Sequence, residues 1–262
     1  MGVTKDYKRA LRTLILAAGK GTRMKSELAK VLHPLCGKPL LAYSIEVARA
    51  LGSEEVVVVI GHQAELIRRD FGDQGLIFVE QRKQLGTGHA VLQARDVFHN
   101  YQGAVLILCG DVPLLKPATV EALIVSHLQE KAAVTVLTTI PADPAGYGRI
   151  VKEEGDAVLR IVEERDATET ERRIREINTG IYCADAGVLF DAVGRITNEN
   201  VQREYYLTDI VEITRKDGRP VRSCLAPDPT EVLGINTKDE LVRASGILER
   251  RRHDYADDSG AL

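Results

Sequence analysis

Nothing in this chain is long and apolar enough to cross a membrane, because no apolar run approaches the roughly 18–20 residues of a spanning helix. The N-terminus, MGVTKDYKRALR, lacks the apolar core of a signal peptide, and Gly2 after the initiator Met is a weak match to a myristoylation site that we discount. Cys36, Cys109, Cys183 and Cys224 are scattered without CxxC spacing, which argues against a zinc site and for reduced thiols, most of them in apolar surroundings, in a cytoplasmic protein. A formal net charge of −3 gives no global field for nucleic acid, so anion binding has to come from local basic residues and suits a small phosphorylated substrate. Internal repeats, coiled-coil heptads and low-complexity tracts are missing. So are a Ser–His–Asp order, an HExxH motif and paired catalytic carboxylates, which leaves hydrolysis with little support.

What is present is an ordinary globular composition, 44% hydrophobic and 28% charged over 262 residues, enough for one large α/β domain or a core domain with a small subdomain. The chain is organised around LILAAGKGTRMKSELAK, Leu14 to Lys30. Leu14, Ile15 and Leu16 read as a buried parallel strand that breaks at once into Ala17, Ala18, Gly19 and Gly21. Small side chains let backbone N–H groups approach a ligand, and Arg23 and Lys30 add fixed positive charge beyond the turn. Met24 stands where a dinucleotide GxGxxG fingerprint needs its third glycine, and Lys20 and Thr22 do not have P-loop spacing. The loop reads as a phosphate cradle of another kind, although an ordinary strand-to-helix turn also explains its two glycines.

Further along, Pro39 opens a helix carrying Leu40, Leu41, Ile45, Val47 and Ala48, ended by Gly52. Strands are expected at Val56 to Ile60, near Leu76 to Val79 and at Ala104 to Leu108, with helices at Ala64 to Phe71 and from QLGTGHAV (Gln84 to Val91). This alternation argues for a doubly wound α/β sheet with right-handed crossovers, whose ligands bind beyond the carboxyl ends of the strands. There the Leu16 loop and Asp111, which follows the Ala104 strand, should converge.

The second half is richer in β-structure. Strands are expected at Ala133 to Ile140, Val158 to Val162, Ile177 to Cys183 and Val221 to Leu225, and a charged helical piece at Ala167 to Glu176. It reads as a small antiparallel extension laid against the first sheet and covering a second substrate. Helices follow at Tyr205 to Lys216 and Lys238 to Arg250, and RRHDYADDSGAL is expected to fray. We therefore expect one domain over residues 10–250, with halves at 10–130 and 131–250 and a polar tail at 251–262.

Asp111, flanked by Gly110 and VPLL, is a carboxylate at a strand end facing a phosphate loop, well placed for Mg²⁺; a turn or cap aspartate is the plainer reading. Asn236 in LGIN is a second oxygen donor or a helix cap. Gln81, Gln84, Gly86 and Thr87 form a polar patch suited to the edge of a pyrimidine, although spacing alone favours a helix start capped by Thr87. His89 is read as a satisfied polar residue rather than a base. Glu163 and Asn178, with the Gly146-Tyr147-Gly148 turn, offer a carboxylate and an amide for sugar hydroxyls, or are solvated edge residues.

Taken together the segments LAAGKGTRM, AKVLH, QLGTGHAV, GDVPLL, GYGRI, EINTGI and EYYLTDI resemble, in family order, the uridylyltransferase domain of the bacterial bifunctional N-acetylglucosamine-1-phosphate uridylyltransferases. The opening motif is shared among sugar nucleotidyltransferases, whereas QLGTGHA with EINTGI and EYYLTDI is much narrower. The resemblance implies a Rossmann-like, doubly wound, mainly parallel sheet of the nucleotide-diphospho-sugar transferase kind. It implies a reaction of UTP with N-acetylglucosamine 1-phosphate, assisted by Mg²⁺. Leu16, Ala17, Ala18 and Gly19 would hold the nucleotide, Arg23 the departing pyrophosphate and Lys30 the reacting phosphates. Gln81, Gly86 and Thr87 would select uracil; Gly148, Glu163 and Asn178 would bind the acetylated sugar; Asp111 and Asn236 would ligate the metal.

Three departures from the family pattern carry expectations. Ala29 replaces a frequent proline and should loosen the loop slightly. Thr237 stands where a second asparagine is expected. The chain ends at Leu262, before the hexapeptide-repeat β-helix of the family, so acetyl transfer and that trimer interface are not expected of it. Other readings are the same chemistry on another sugar 1-phosphate or with dTTP, a non-catalytic nucleotide-sugar sensor, and a dinucleotide-dependent oxidoreductase, against which Met24 counts.

Overall fold

The computed structural model describes residues 11–153 and 157–259; the Gly2 motif lies outside them. The first half alternates strand and helix as the sequence implies. Its elements are β1 (Leu11–Ala17), a two-residue hairpin β2 (Pro34–Leu35) and β3 (Lys38–Pro39), α1 (Leu40–Ala50), β4 (Glu55–Ile60), α2 (Ala64–Phe71), β5 (Ile77–Glu80), α3 (Thr87–Gln93), β6 (Ala104–Cys109) and α4 (Pro117–Gln129). The second half holds β7 (Val134–Thr139), β8 (Arg149–Lys152), β9 (Val158–Val162), α5 (Glu169–Arg172), β10 (Ile177–Asp185), α6 (Ala186–Val193), α7 (Asp209–Lys216), β11 (Val221–Leu225) and α8 (Lys238–Ser259).

The main path of the sheet runs β11-β7-β10-β6-β1-β4-β5. β1 pairs parallel to both β4 and β6, whereas β10 is antiparallel to β6 and β7. Successive residues point to opposite faces, so Ile15, Val58 and Leu106 join one buried cluster and Leu14, Val57 and Ile107 the other. Burial on both sides is why these strands are continuous apolar runs. The carboxyl ends of β1 and β6 therefore emerge side by side, with Leu16 in register with Cys109.

Several expectations change. The antiparallel extension is the β8–β9 hairpin, while β7 and β10 belong to the central sheet itself and join the two halves. The charged piece after β9 forms only the single turn α5, closed by a capping box between Thr168 and Glu171. The Tyr205 helix begins only at Asp209, because the backbone before it is engaged elsewhere: Tyr205 N donates to Leu85 O at 2.8 Å and Leu207 N to Thr87 Oγ1 at 3.0 Å. The C-terminal helix continues past Arg250. It runs to Ser259, and Arg251 donates to Leu114 O at 2.8 Å. Helices α4 and α6 and the β2–β3 hairpin were not legible in the sequence. In α6 most residues are buried, so no polar stripe marks a helical period.

Candidate active site

The loop after β1 is shaped by its glycines for different reasons. Gly21 has φ +63°, and a Cβ there would lie 2.5 Å from the Cβ of Lys30, so a side chain would push the lysine away. Around Gly19 a Cβ would meet nothing within 4 Å, which leaves the backbone open to a ligand. Short helical turns at Thr22–Met24 and Lys30–Leu32, with Met24 buried, fold the two cations back over the strand end. Ala29 does not loosen this loop. Its N–H donates to Gln63 Oε1 at 2.7 Å, a bond that proline has no N–H to donate, and Gln63 Nε2 donates to Glu27 O at 2.9 Å.

Arg23, Lys30, Asp111 and Asn236, far apart in sequence, meet in one polar cluster. Lys30 Nζ donates to Asp111 Oδ2 and, at 3.0 Å, to Asn236 Oδ1, which also accepts from Arg23 at 2.9 Å. The segment before α8 is pressed against Asp111: Ile235 N donates to its carbonyl at 2.9 Å, and a Cβ on Gly234 would sit 3.3 Å from Oδ2. Thr237 has its own reason for being there. With Glu240 it closes a cap on α8, in which the Glu240 carboxylate accepts from Asn236 N at 2.6 Å and Thr237 N at 3.0 Å, while Thr237 Oγ1 accepts from Glu240 N. That cap fixes Asn236.

A metal fits this donor set. An ammonium already rests between a carboxylate oxygen and an amide oxygen, so the two hard donors are arranged for a cation. Among the described residues no three acidic, histidine or cysteine side chains gather around a common point, so the remaining ligands would be phosphate and water oxygens, as Mg²⁺ prefers.

Beside this cluster opens a cavity of about 590 Å³, whose lining includes Leu16, Ala17, Ala18, Gly19, Lys30, Gln81, Gly86, Thr87 and Asp111. Gln81 is buried, and its Nε2 donates to Gly86 O and to His89 Nδ1, both at 3.0 Å. Both amide N–H groups are thereby turned inward, which leaves Oε1 as the acceptor available to a base edge. His89 is a satisfied polar residue, as expected: its Nδ1 lies 3.0 Å from Gln81 Nε2, and burial lowers its pKa. Thr87 does not cap α3; it holds Leu207 N, and a Cβ on Gly86 would strike the Tyr205 carbonyl at 2.5 Å. QLGTGHA and EYYLTDI are thus packed onto each other.

Gly148, Glu163 and Asn178 form a second group outside that cavity lining. Asn178 N donates to Gly148 O at 2.9 Å, and a Cβ on Gly148 would come within 3.5 Å of both Glu163 carboxylate oxygens. Burial raises the Glu163 pKa, and a hydrogen bond from Thr208 at 3.2 Å opposes the rise. Cys109 links the two groups, since it lines the cavity and its Sγ donates to Gly180 O at 3.4 Å, while Gly180 N donates to Asn178 Oδ1. Lys20, Gln84, Cys109 and Glu204 also line the cavity. Lys20 had a signal, being the charged residue between the two glycines, whereas Cys109 and Glu204 had none beyond adjacency to motifs.

The family profile of the MobA-like NTP transferase domain matches residues 13–176, the span that carries the phosphate loop, the base patch, Asp111 and the β8–β9 hairpin. The chain belongs to that family. Members similar to it include the bifunctional protein GlmU of Geobacter metallireducens, 51% identical over 242 residues, and that of Geotalea daltonii, 47% identical over 239. These alignments cover 92% and 91% of this chain but only 51% and 52% of the relatives, so the chain spans about half the length of the curated relatives it matches. Among solved structures, UDP-glucose pyrophosphorylase complexed with UDP-glucose superposes with a TM-score of 0.72 over 92% of this chain and 98% of that one, at 18% identity. That likeness establishes the shared NTP-transferase fold, a mainly parallel sheet flanked by helices.

Proposed function

We propose that this MobA-like transferase forms UDP-N-acetylglucosamine and pyrophosphate from UTP and N-acetylglucosamine 1-phosphate. The observation that carries the reading is the junction of Arg23, Lys30, Asp111 and Asn236, with Lys30 and Asp111 lining the same cavity as Gln81, Gly86 and Thr87. The sugar phosphate is already an anionic nucleophile, so no strong general base is required. A sugar-phosphate oxygen bonds to the α-phosphorus of UTP, and the bond from that phosphorus to the bridging oxygen breaks in line, releasing pyrophosphate. The chain's task is positioning and neutralising charge.

In that reading Leu16 to Gly19 hold the nucleotide with backbone groups, and Gln81 Oε1, with Gly86 and Thr87, meets the uracil edge. Lys30 leaves Asp111 for the reacting phosphates, and Arg23 meets the departing pyrophosphate. Gly148, Glu163 and Asn178 hold the acetylated sugar. Mg²⁺ held by Asp111, Asn236 and phosphate oxygens would supply a further positive charge at the reacting phosphates. Residues 10–130 and 131–250 are the nucleotide and sugar halves of a single unit, working in the cytoplasm on small molecules, with neither nucleic acid nor membrane as partner. No described helix is long and apolar enough to cross a membrane.

Pyrophosphate release from purified protein with UTP, Mg²⁺ and N-acetylglucosamine 1-phosphate tests the reading, beside glucose 1-phosphate and dTTP controls. Release with the acetylated sugar that EDTA abolishes is the expected result. Release only in a control keeps the chemistry and moves the substrate, and silence in every mixture from folded protein points to a nucleotide-sugar sensor.

A further inference from the structure

Tyr182 lies in β10, 1% exposed, and its hydroxyl has no hydrogen-bond partner. Its neighbours across the sheet, Ile107 of β6 and Val136 of β7, are apolar, so packing alone would be served by phenylalanine. A buried hydroxyl without a partner is destabilising, because it gives up its hydrogen bond to water for nothing. A hydroxyl at that position needs another explanation than the core.

The polar groups around it belong to the sugar group. The ring packs in the cluster that contains Ile161 and Leu207, which lead into Glu163 and Thr208, themselves hydrogen-bonded to each other. Burial pushes the phenol well above the ordinary tyrosine range; the Glu163 carboxylate and the Cys109 thiol add to the rise, and the Asn178 amide opposes it. The Asn178 amide therefore acts on the hydroxyl from nearby, although no contact between them meets ordinary hydrogen-bond geometry. The strand is irregular between these two residues: its register against β7 shifts, Gly180 takes φ +80°, and Asn178 Oδ1 turns back to accept from Gly180 N at 3.0 Å. With its oxygen so engaged, Asn178 has its two amide N–H groups to offer.

We propose that Tyr182 is a positioning residue of the sugar subsite, accepting one amide N–H of Asn178 when the other is drawn onto an oxygen of the bound sugar 1-phosphate. The inference rests on the proposed sugar-binding role of Asn178. It gives the unpartnered hydroxyl its hydrogen bond in the complex and makes Asn178 a two-sided contact.

The test is Tyr182→Phe, which keeps the ring and removes only the hydroxyl, assayed with the wild type, Asn178→Ala and the double variant. We expect the KM for N-acetylglucosamine 1-phosphate to rise about 5–10-fold, the effect of one net hydrogen bond. The KM for UTP should stay within about twofold and the melting temperature should not fall. In the Asn178→Ala background the substitution should add nothing. An unchanged KM with a raised melting temperature would mark a purely structural orphan and overturn the proposal, as would equal rises for both substrates or an undiminished effect without Asn178. A wild type that turns over no sugar phosphate sinks the functional reading and this inference with it. An active wild type with an indifferent Phe variant sinks the inference alone.

Discussion

Lys30 donates its ammonium protons to Asp111, the residue on which the metal assignment rests, with both side chains largely buried. On the proposed function, Lys30 would leave Asp111 for phosphate as Asp111 takes the metal, an exchange that would couple nucleotide and metal binding.

One consequence is direct. Lys30→Met should lower kcat by roughly 10²-fold or more, because its charge is needed most as charge moves in the transition state. The same variant should bind Mn²⁺ more tightly than the wild type without nucleotide, read by the electron paramagnetic resonance of free Mn²⁺. An effect confined to KM, or unaltered Mn²⁺ binding, would contradict this exchange.

Asp111→Ala should reduce turnover to background while leaving the circular dichroism spectrum and melting temperature close to wild type. The side chain stands at a strand end rather than in the core, and the contact of its carbonyl with Ile235 N survives the substitution. Near-normal activity in Mg²⁺ would remove Asp111 from the metal site.

Gly21→Ala tests the loop. The added Cβ meets Lys30 Cβ at 2.5 Å in a left-handed conformation that alanine resists, so Lys30 has to move. A stability loss of about 1–2 kcal/mol in urea unfolding, with a kcat decrease larger than any change in KM, is the expected signature. Gly19→Ala, with free space at its Cβ, should leave stability nearly unchanged and act through substrate approach instead.

How far the sequence was legible follows from these same residues. Leu14 to Leu16, Val56 to Ile60 and Ala104 to Leu108 are continuous apolar runs because both sheet faces are covered, so strand position and sheet type could be read directly. The convergence of the Leu16 loop with Asp111 followed from strand ends. The ion pair of Lys30 with Asp111 did not, because it depends on a side-chain conformation. The tether of Ala29 to Gln63 spans 34 positions, and no local pattern announces it. Thr237 has a local signal in TKDE, an N-cap followed three residues later by its glutamate. Tyr205 to Thr208 looked helical by composition and is not, since tertiary hydrogen bonds to Leu85, Thr87 and Gly88 claim the backbone first.

Glu240→Ala should therefore do more than uncap α8. It removes the acceptor of Asn236 N and Thr237 N, and a loss of about 1 kcal/mol is expected from the cap. A lower apparent affinity for Mg²⁺ in the assay should accompany it, because Asn236 loses its anchor. Stability loss without a metal effect would separate the cap from the site.

Asp209 gives a pH prediction. Burial, with Glu212 and Asp166 nearby, raises its pKa from 3.8 to about 6. The folded state holds the proton more tightly than the unfolded one, so the penalty is absent below about pH 3.8 and complete above about pH 6. Asp209→Asn should stabilise the chain by about 1 kcal/mol at pH 7.5, after allowance for solvent screening. The gain should disappear as the pH falls toward 4, and a gain independent of pH would assign it to something other than this carboxylate.

³¹P NMR of one reaction mixture follows the direction of group transfer. With UTP, N-acetylglucosamine 1-phosphate and Mg²⁺, we predict that the β- and γ-phosphorus signals of UTP give way to pyrophosphate. The two coupled signals of a UDP-sugar should grow in equal amount. Release of inorganic phosphate or UMP instead, or pyrophosphate without a UDP-sugar, would contradict the account.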